Sequence, residues 1–102
     1  MKIIEQLSEM ISEEISDAEK YVRCALMHRE DMPELSEAFY RLSADEMGHM
    51  GILHEQVTRI INQYKKEHGD PPKEMMAVYD YLHKKQIDHA SQVRAMQAMY
   101  RS

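Results

Sequence analysis

Hydrophobic residues recur along this chain at steps of three and four, in three stretches separated by two short polar segments. The first polar segment, 28–33, ends in a proline, and the second, 68–72, holds a glycine followed by two prolines. Proline suits the first turn of a helix, and glycine commonly follows the last turn. Because no stretch alternates with a period of two, the pattern predicts a single all-α domain, 1–102, with helices at about 2–29, 33–67 and 72–100.

Each predicted helix carries one seam spaced near 3.5 residues, the period of left-handed helical bundles. The seam of the first helix is Ile4, Leu7, Ile11, Glu14, Ala18, Tyr21 and Ala25. The seam of the second is Leu35, Leu42, Glu46, His49, Leu53, Gln56 and Ile60, flanked by Phe39 and Val57. The third reads Met75, Tyr79, Leu82, Gln86, His89, Val93, Met96 and Tyr100. Helices roughly 40 to 50 Å long are expected to bury such seams against each other and against a second copy.

The first two helices are expected to fold back to back about a turn near Asp31, as an antiparallel hairpin. In such a hairpin, residues equally far from the turn lie at the same height, and the seam residues pair when their numbers add to 60. This register follows from the apolar spacing alone, and it sets Glu14 level with Glu46. His49 follows one turn along the same face, because residues i and i+3 are neighbours on a helix.

Two carboxylates and an imidazole inside a hydrophobic seam indicate a metal site. Facing carboxylates repel, so one must take up a proton unless a cation lies between them. Carboxylate and imidazole ligands suit Fe, Mn or Zn. One protomer supplies half of a two-metal ligand set, and a two-fold axis would double it to four carboxylates and two imidazoles, whose charge balances two divalent ions. In the alternative reading Glu14 reaches solvent, His49 is a core histidine, and polar seam residues only fix register.

Composition and charge narrow the classes of function. The 18 acidic residues against 13 basic ones give a net charge of −5, which argues against nucleic acid and anionic membranes as partners. No run approaches the roughly 18 apolar residues of a membrane span, and the start lacks the apolar segment of a signal peptide. Cys24 is the only cysteine, so a cytoplasmic location is expected.

The residues around the proposed ligands resemble those of the ferritin-like superfamily, most closely rubrerythrins and the short encapsulated ferritins. Glu14 is followed seven residues later by Tyr21. The second helix then contains Phe39-Tyr40-Arg41-Leu42-Ser43-Ala44-Asp45-Glu46-Met47-Gly48-His49. The similarity covers the first two helices, about two-thirds of the chain.

This resemblance implies a non-haem di-iron centre that oxidises Fe(II) with dioxygen or peroxide, with Mn or Zn as possible substitutes. Glu14, Glu46 and His49 would be the ligands, with two Fe ions per dimer. Tyr21 would lie beside the metals as a hydrogen-bonding or redox-active group, or would serve as a core aromatic. As in encapsulated ferritins, two hairpins would form a ferritin-like four-helix bundle, in a homodimer or a larger ring of dimers.

The chain also departs from the family pattern. The third helix has no matching Glu-x-x-His, and no cysteine pairs could form a rubredoxin iron site. The chain ends at Ser102 without the extension that docks encapsulated ferritins, so an encapsulin shell is doubtful as a partner. Two other functions stay open: a metal-free structural or interaction oligomer, and metal binding without turnover.

Overall fold

A computed structural model describes all 102 residues, and it consists of three helices without any strand. They are α1 (Lys2–Met27), α2 (Pro33–His68) and α3 (Lys73–Arg101). The predicted all-α class is confirmed, and every helix end lies within two residues of its predicted position. None of the three helices has a stretch long and apolar enough to cross a membrane.

Backbone chemistry explains where the helices end. The amide of His28, the residue after α1, donates to the carbonyl of Cys24, and Pro33 begins α2 after a short turn. Beyond α2, Gly69 has φ 77°, a left-handed conformation that glycine adopts without steric cost, and its amide donates to the carbonyl of Lys65. The prolines that follow Gly69 cannot continue the helix, so the chain reverses there.

The helices form an elongated bundle of 56 × 20 × 18 Å. α2 runs antiparallel to α1, and the Ser43 hydroxyl donates to the carbonyl of Ala18 at 2.7 Å. α3 runs alongside α1 in the same direction, since Gln86 contacts Ser8 near one end of the bundle and Arg29 donates to backbone carbonyls of α3 near the other. α3 therefore packs mainly on α1 and meets α2 at fewer points.

The buried seam of α1 is displaced from the predicted one. Its buried residues are Ile4, Ser8, Ile11, Ile15, Ala18, Val22 and Ala25, whereas Leu7, Glu14 and Tyr21 are half-buried at the edge. The physical reason is that α1 contacts both other helices. The centre of its buried arc therefore lies between them, shifted towards α3.

The predicted seam of α2 is confirmed in part: Leu53 and Ile60 pack against the core and the flanking Val57 is buried, whereas other members are exposed in the single chain. Leu35 and Leu42 are 39% and 42% exposed, and His49 and Gln56 are exposed as well. The buried residues of α2 are Ser36, Ser43, Val57 and Ile61. Small serine side chains that donate to α1 carbonyls bring the two backbones together, which turns the larger seam residues outwards.

The third predicted seam is confirmed in part. Gln86 and Val93 are buried, Met75, Tyr79, His89, Met96 and Tyr100 are half-buried, and Leu82 is 38% exposed. Gln86 and His89 contact α1, whereas Tyr100 stacks on Tyr40 of α2 with ring centroids 4.7 Å apart.

The half-buried and exposed seam residues, with their neighbours Ile3 and Met10, form a second face on the hairpin, which we call the open face. It is defined by Ile3, Leu7, Met10, Glu14 and Tyr21 on α1 and by Leu35, Leu42, Glu46 and His49 on α2. α3 contacts other positions, such as Ser12 and His54, so the open face lies on the flank away from α3. Four of its large hydrophobic residues are 39–44% exposed: Ile3, Met10, Leu35 and Leu42.

Candidate metal centre

Three side chains from two helices converge in the middle of the open face. Nδ1 of His49 lies 3.5 Å from Oε2 of Glu14 and 3.6 Å from Oε1 of Glu46. Each of the three residues offers one ligand atom, and these atoms all lie within 4.8 Å of one another. The structure therefore brings together the three residues that the sequence predicted as ligands.

Two serines of α2 set this juxtaposition. The Ser36 hydroxyl donates to the carbonyl of Ala25, and that of Ser43 donates to the carbonyl of Ala18. Both contacts join residues whose numbers add to 61, and the Tyr21–Phe39 ring pair adds to 60, so the predicted hairpin register is observed. Continuing this register one turn beyond Ser43 sets Glu46 opposite Glu14.

The carboxylate pair is electrostatically incomplete. Oε2 of Glu14 is buried and has no hydrogen-bond partner in the protein. The pKa of Glu46 is raised to about 7, first because its protonated carboxyl hydrogen-bonds Glu14, and then because of burial and the negative charge of Glu14; His49 opposes this shift. A proton on Glu46 or a cation is therefore needed between the two carboxyl groups.

The exposure of the three side chains shows which way the centre opens. The side chains of Glu14 and Glu46 are 26% and 18% exposed, whereas that of His49 is 55% exposed. The carboxylates thus form the floor and the imidazole forms the rim. An ion bound here would keep coordination positions directed outwards from the open face.

Tyr21 lies apart from this group. Its ring stacks on Phe39, with centroids 6.3 Å apart and 25° between the planes. Seven residues of helix separate it from Glu14, a rise of about 10 Å. The structure thus gives Tyr21 an aromatic packing partner, and its redox role stays a prediction.

Two polar seam residues of α3 hold α3 on α1. Nε2 of Gln86 donates to the carbonyl of Ser8 at 3.0 Å and lies within 3.1 Å of the hydroxyls of Ser8 and Ser12. Nε2 of His89 lies 2.5 Å from Oε1 of Glu19. Arg23 and His89 together lower the pKa of Glu19, Arg23 contributing more. Sequence reasoning found no partners for Gln86 and His89, because that required knowing how α3 is placed on α1.

A histidine pair between α2 and α3 was also missed. The rings of His54 and His83 have centroids 4.9 Å apart, and the ring of Tyr79 also stacks with His83, at 5.6 Å. Burial, and next the proximity of His54, lower the pKa of His83. The two histidines are on different helices, so no sequence spacing connects them.

Comparison with known proteins gives no match, since no family model, curated protein or solved structure is significantly similar to this chain. The resemblance to ferritin-like proteins therefore rests on the residues of the first two helices alone.

Proposed function

We propose that this chain is a non-haem di-iron protein of the ferritin-like type, a ferroxidase whose centre is shared between two protomers. The observation that carries the proposal is the buried, unpartnered oxygen of Glu14, which faces a second carboxylate and an imidazole. Two carboxyl groups this close must share a proton or bind a cation, and a bound cation removes the repulsion between their charges. Three pre-assembled donors of the kinds that iron accepts make an iron ion a suitable cation.

The donor set fits two ions only when two copies combine. One protomer offers two carboxylates and one imidazole, too few for two iron ions. Two protomers related by a two-fold axis offer four carboxylates and two imidazoles, the set that ferritin-like bundles use for two metals. Its charge of −4 is neutralised by two Fe(II) ions, so neither the carboxylates nor the ions are left uncompensated.

The open face supports the same dimer. Leu35 and Leu42 on one side of the acidic group, and Ile3 and Met10 on the other, expose apolar surface next to it. Covering these residues with the same face of a second copy would bury them and would close the centre to water. Larger rings of such dimers belong to the same proposal.

Fe(II) is the substrate of the proposed reaction. Two Fe(II) ions each give up one electron, and the two electrons with two protons reduce dioxygen to hydrogen peroxide, or peroxide to water. Glu14 and Glu46 bind the substrate and stabilise the higher charge of Fe(III). Glu46 releases its proton as the cation binds, because the positive charge replaces the hydrogen bond to Glu14.

The test is aerobic oxidation of Fe(II), followed by the absorbance of Fe(III). We expect the parent protein to oxidise iron faster than buffer and Glu14→Ala to lose most of that rate. Glu13→Ala is the matched control, because it removes the same charge from an exposed neighbour. If the parent oxidises Fe(II) no faster than buffer with either dioxygen or peroxide, the proposed ferroxidase activity is contradicted. Iron binding measured on the same sample would then distinguish metal binding without turnover from a metal-free interaction protein.

A further inference from the structure

A cavity of about 230 Å³ lies where the three helices meet, away from the open face. All three helices contribute to its lining, and none of the lining residues is Asp or Glu, although the chain contains 18 acidic residues. Side chains of the proposed iron centre do not line this cavity. Its interior therefore carries no negative charge in a protein whose net charge is −5.

The floor and one wall of the cavity are apolar. Ile11 and Ile15 of α1 are 2% and 1% exposed, and Ala90 of α3 is 4% exposed. On α2 the wall includes Gly51, and no atom lies within 4 Å of the position that a Cβ on this residue would occupy. Glycine inside a helix is destabilising relative to alanine, and here it leaves space for a hydrocarbon chain against α2.

Arg94 brings a positive charge to the rim of this cavity. It is exposed and, unlike Arg23, Arg29 and Arg101, has no hydrogen-bond or ion-pair partner in the protein. Arginine stays protonated over the physiological pH range, whereas burial lowers the pKa of His83 and favours its neutral form. Arg94 is therefore the one lining residue that is charged at every physiological pH.

The cavity is elongated along α3. Its lining residues on this helix run from His83 through Ile87 and Ala90 to Arg94, at steps of three and four that keep them on one side. Eleven residues of helix correspond to about 16 Å. Helical side chains lean towards the N-terminus, which directs that of Arg94 back along the cavity. One end is thus cationic, and the rest offers hydrocarbon and uncharged rings.

We infer that this cavity binds a monocarboxylate with a short unbranched hydrocarbon chain, the carboxylate on Arg94 and the chain over Ile11 and Ile15. A guanidinium matches a carboxylate with two parallel hydrogen bonds, and one arginine balances one negative charge. Ligand pockets are mostly apolar, with few polar groups that fix orientation, and commonly measure about 300–1,000 Å³. A volume of about 230 Å³ therefore selects a short chain.

Calorimetric titration of the metal-free protein with octanoate tests this inference, and its result does not depend on the proposed iron centre. We expect one equivalent to bind. Hexanoate should bind about tenfold more weakly, because each buried methylene contributes a factor of roughly three to four. Octanol, which has the chain without the charge, should bind at least about tenfold more weakly than octanoate. Equal affinity for octanol and octanoate, or no binding of octanoate, would overturn the inference.

Two pairs of variants separate the charge from the space. Arg94→Gln should weaken octanoate binding at least about tenfold, and its control Arg59→Gln removes an exposed arginine that does not line the cavity. Gly51→Leu should fill the cavity and block binding. Gly48→Leu is its control, because Gly48 also faces open space on α2 but is not part of the lining. Affinity equal to that of the parent in either Arg94→Gln or Gly51→Leu would contradict the site.

Methyl NMR of the parent locates the ligand without any variant. Octanoate should shift the methyl signals of Ile11, Ile15 and Ile87, which line the cavity, and leave that of Ile3 on the open face unchanged. Shifts at Ile3 without shifts at the cavity isoleucines would place octanoate on the open face and would overturn the inference.

Discussion

The two flanks of the α1–α2 hairpin differ in whether their buried polar groups are hydrogen-bonded. On the flank that α3 covers, Gln86 contacts Ser8, His89 contacts Glu19, and Nε2 of Gln97 donates to the hydroxyl of Ser43 at 2.9 Å. On the open face, the buried oxygen of Glu14 has no partner, and it is the only buried side-chain oxygen or nitrogen in the protein in that state. Folded proteins pair nearly all their buried polar groups. The open face therefore leaves one buried polar atom without a hydrogen bond, whereas the covered flank pairs its buried polar groups.

The largest expected effect is on metal binding at the open face. Glu46→Ala removes one of three donors from a half-site, so we expect it to abolish iron binding while helicity measured by circular dichroism stays unchanged. Above about pH 7, where both carboxylates of the parent are ionised, the metal-free variant should be at least as stable as the parent, because the repulsion between them is gone. Iron binding equal to that of the parent would refute the ligand assignment.

The next prediction compares a substitution on each flank by its effect on the proposed dimer and on the stability of the monomer. Leu42→Asp introduces a charge into the open face and should abolish the dimer in sedimentation, yet change the unfolding free energy of the monomer by only about 0.5 kcal/mol. Gln86→Ala on the covered flank should leave the dimer intact and cost about 1–3 kcal/mol in urea unfolding, because Ser8 and Ser12 lose their shared donor. The reverse pattern would mean that the open face is not an interface.

Some parts of the fold and of the metal centre can be predicted from the sequence, and others cannot. The hairpin register follows from apolar spacing, and it correctly brought Glu14, Glu46 and His49 together. It could not show that Ser36 and Ser43 form the contact with α1, because a serine has no hydrophobic signature and acts through a bond to a distant carbonyl. The position of α3 could not be predicted either, because polar pairs such as His89–Glu19 hold it against α1 and no sequence spacing connects them.

Fe(II) should also shift the equilibrium between monomer and dimer. If each chain holds half of the ligands, Fe(II) binds the dimer more tightly than the monomer and shifts the equilibrium towards the dimer by mass action. Sedimentation at a fixed low protein concentration, with and without anaerobic Fe(II), measures this shift. Glu13→Ala should respond like the parent, whereas an iron-independent equilibrium in the parent would argue against shared ligands.

A further effect concerns pH. The pKa of Glu46 is about 7 in the folded protein and its ordinary value is 4.5, so the folded state binds the proton more tightly than the unfolded state does. The stabilisation is therefore complete below about pH 4.5 and is lost as the pH rises through 7, so the unfolding free energy of the metal-free protein should fall across that range. Glu46→Gln should flatten this part of the urea-unfolding profile relative to the parent; identical profiles would contradict the pairing of the two carboxyl groups.

Native mass spectrometry of the iron-loaded protein tests the shared centre most directly. Because each protomer has three donors, iron should appear as two ions on two chains, or as the same ratio in a larger ring, and Glu46→Ala should carry none. Two iron ions on a single chain, or dimers of the parent that retain no iron, would contradict a centre completed by two copies.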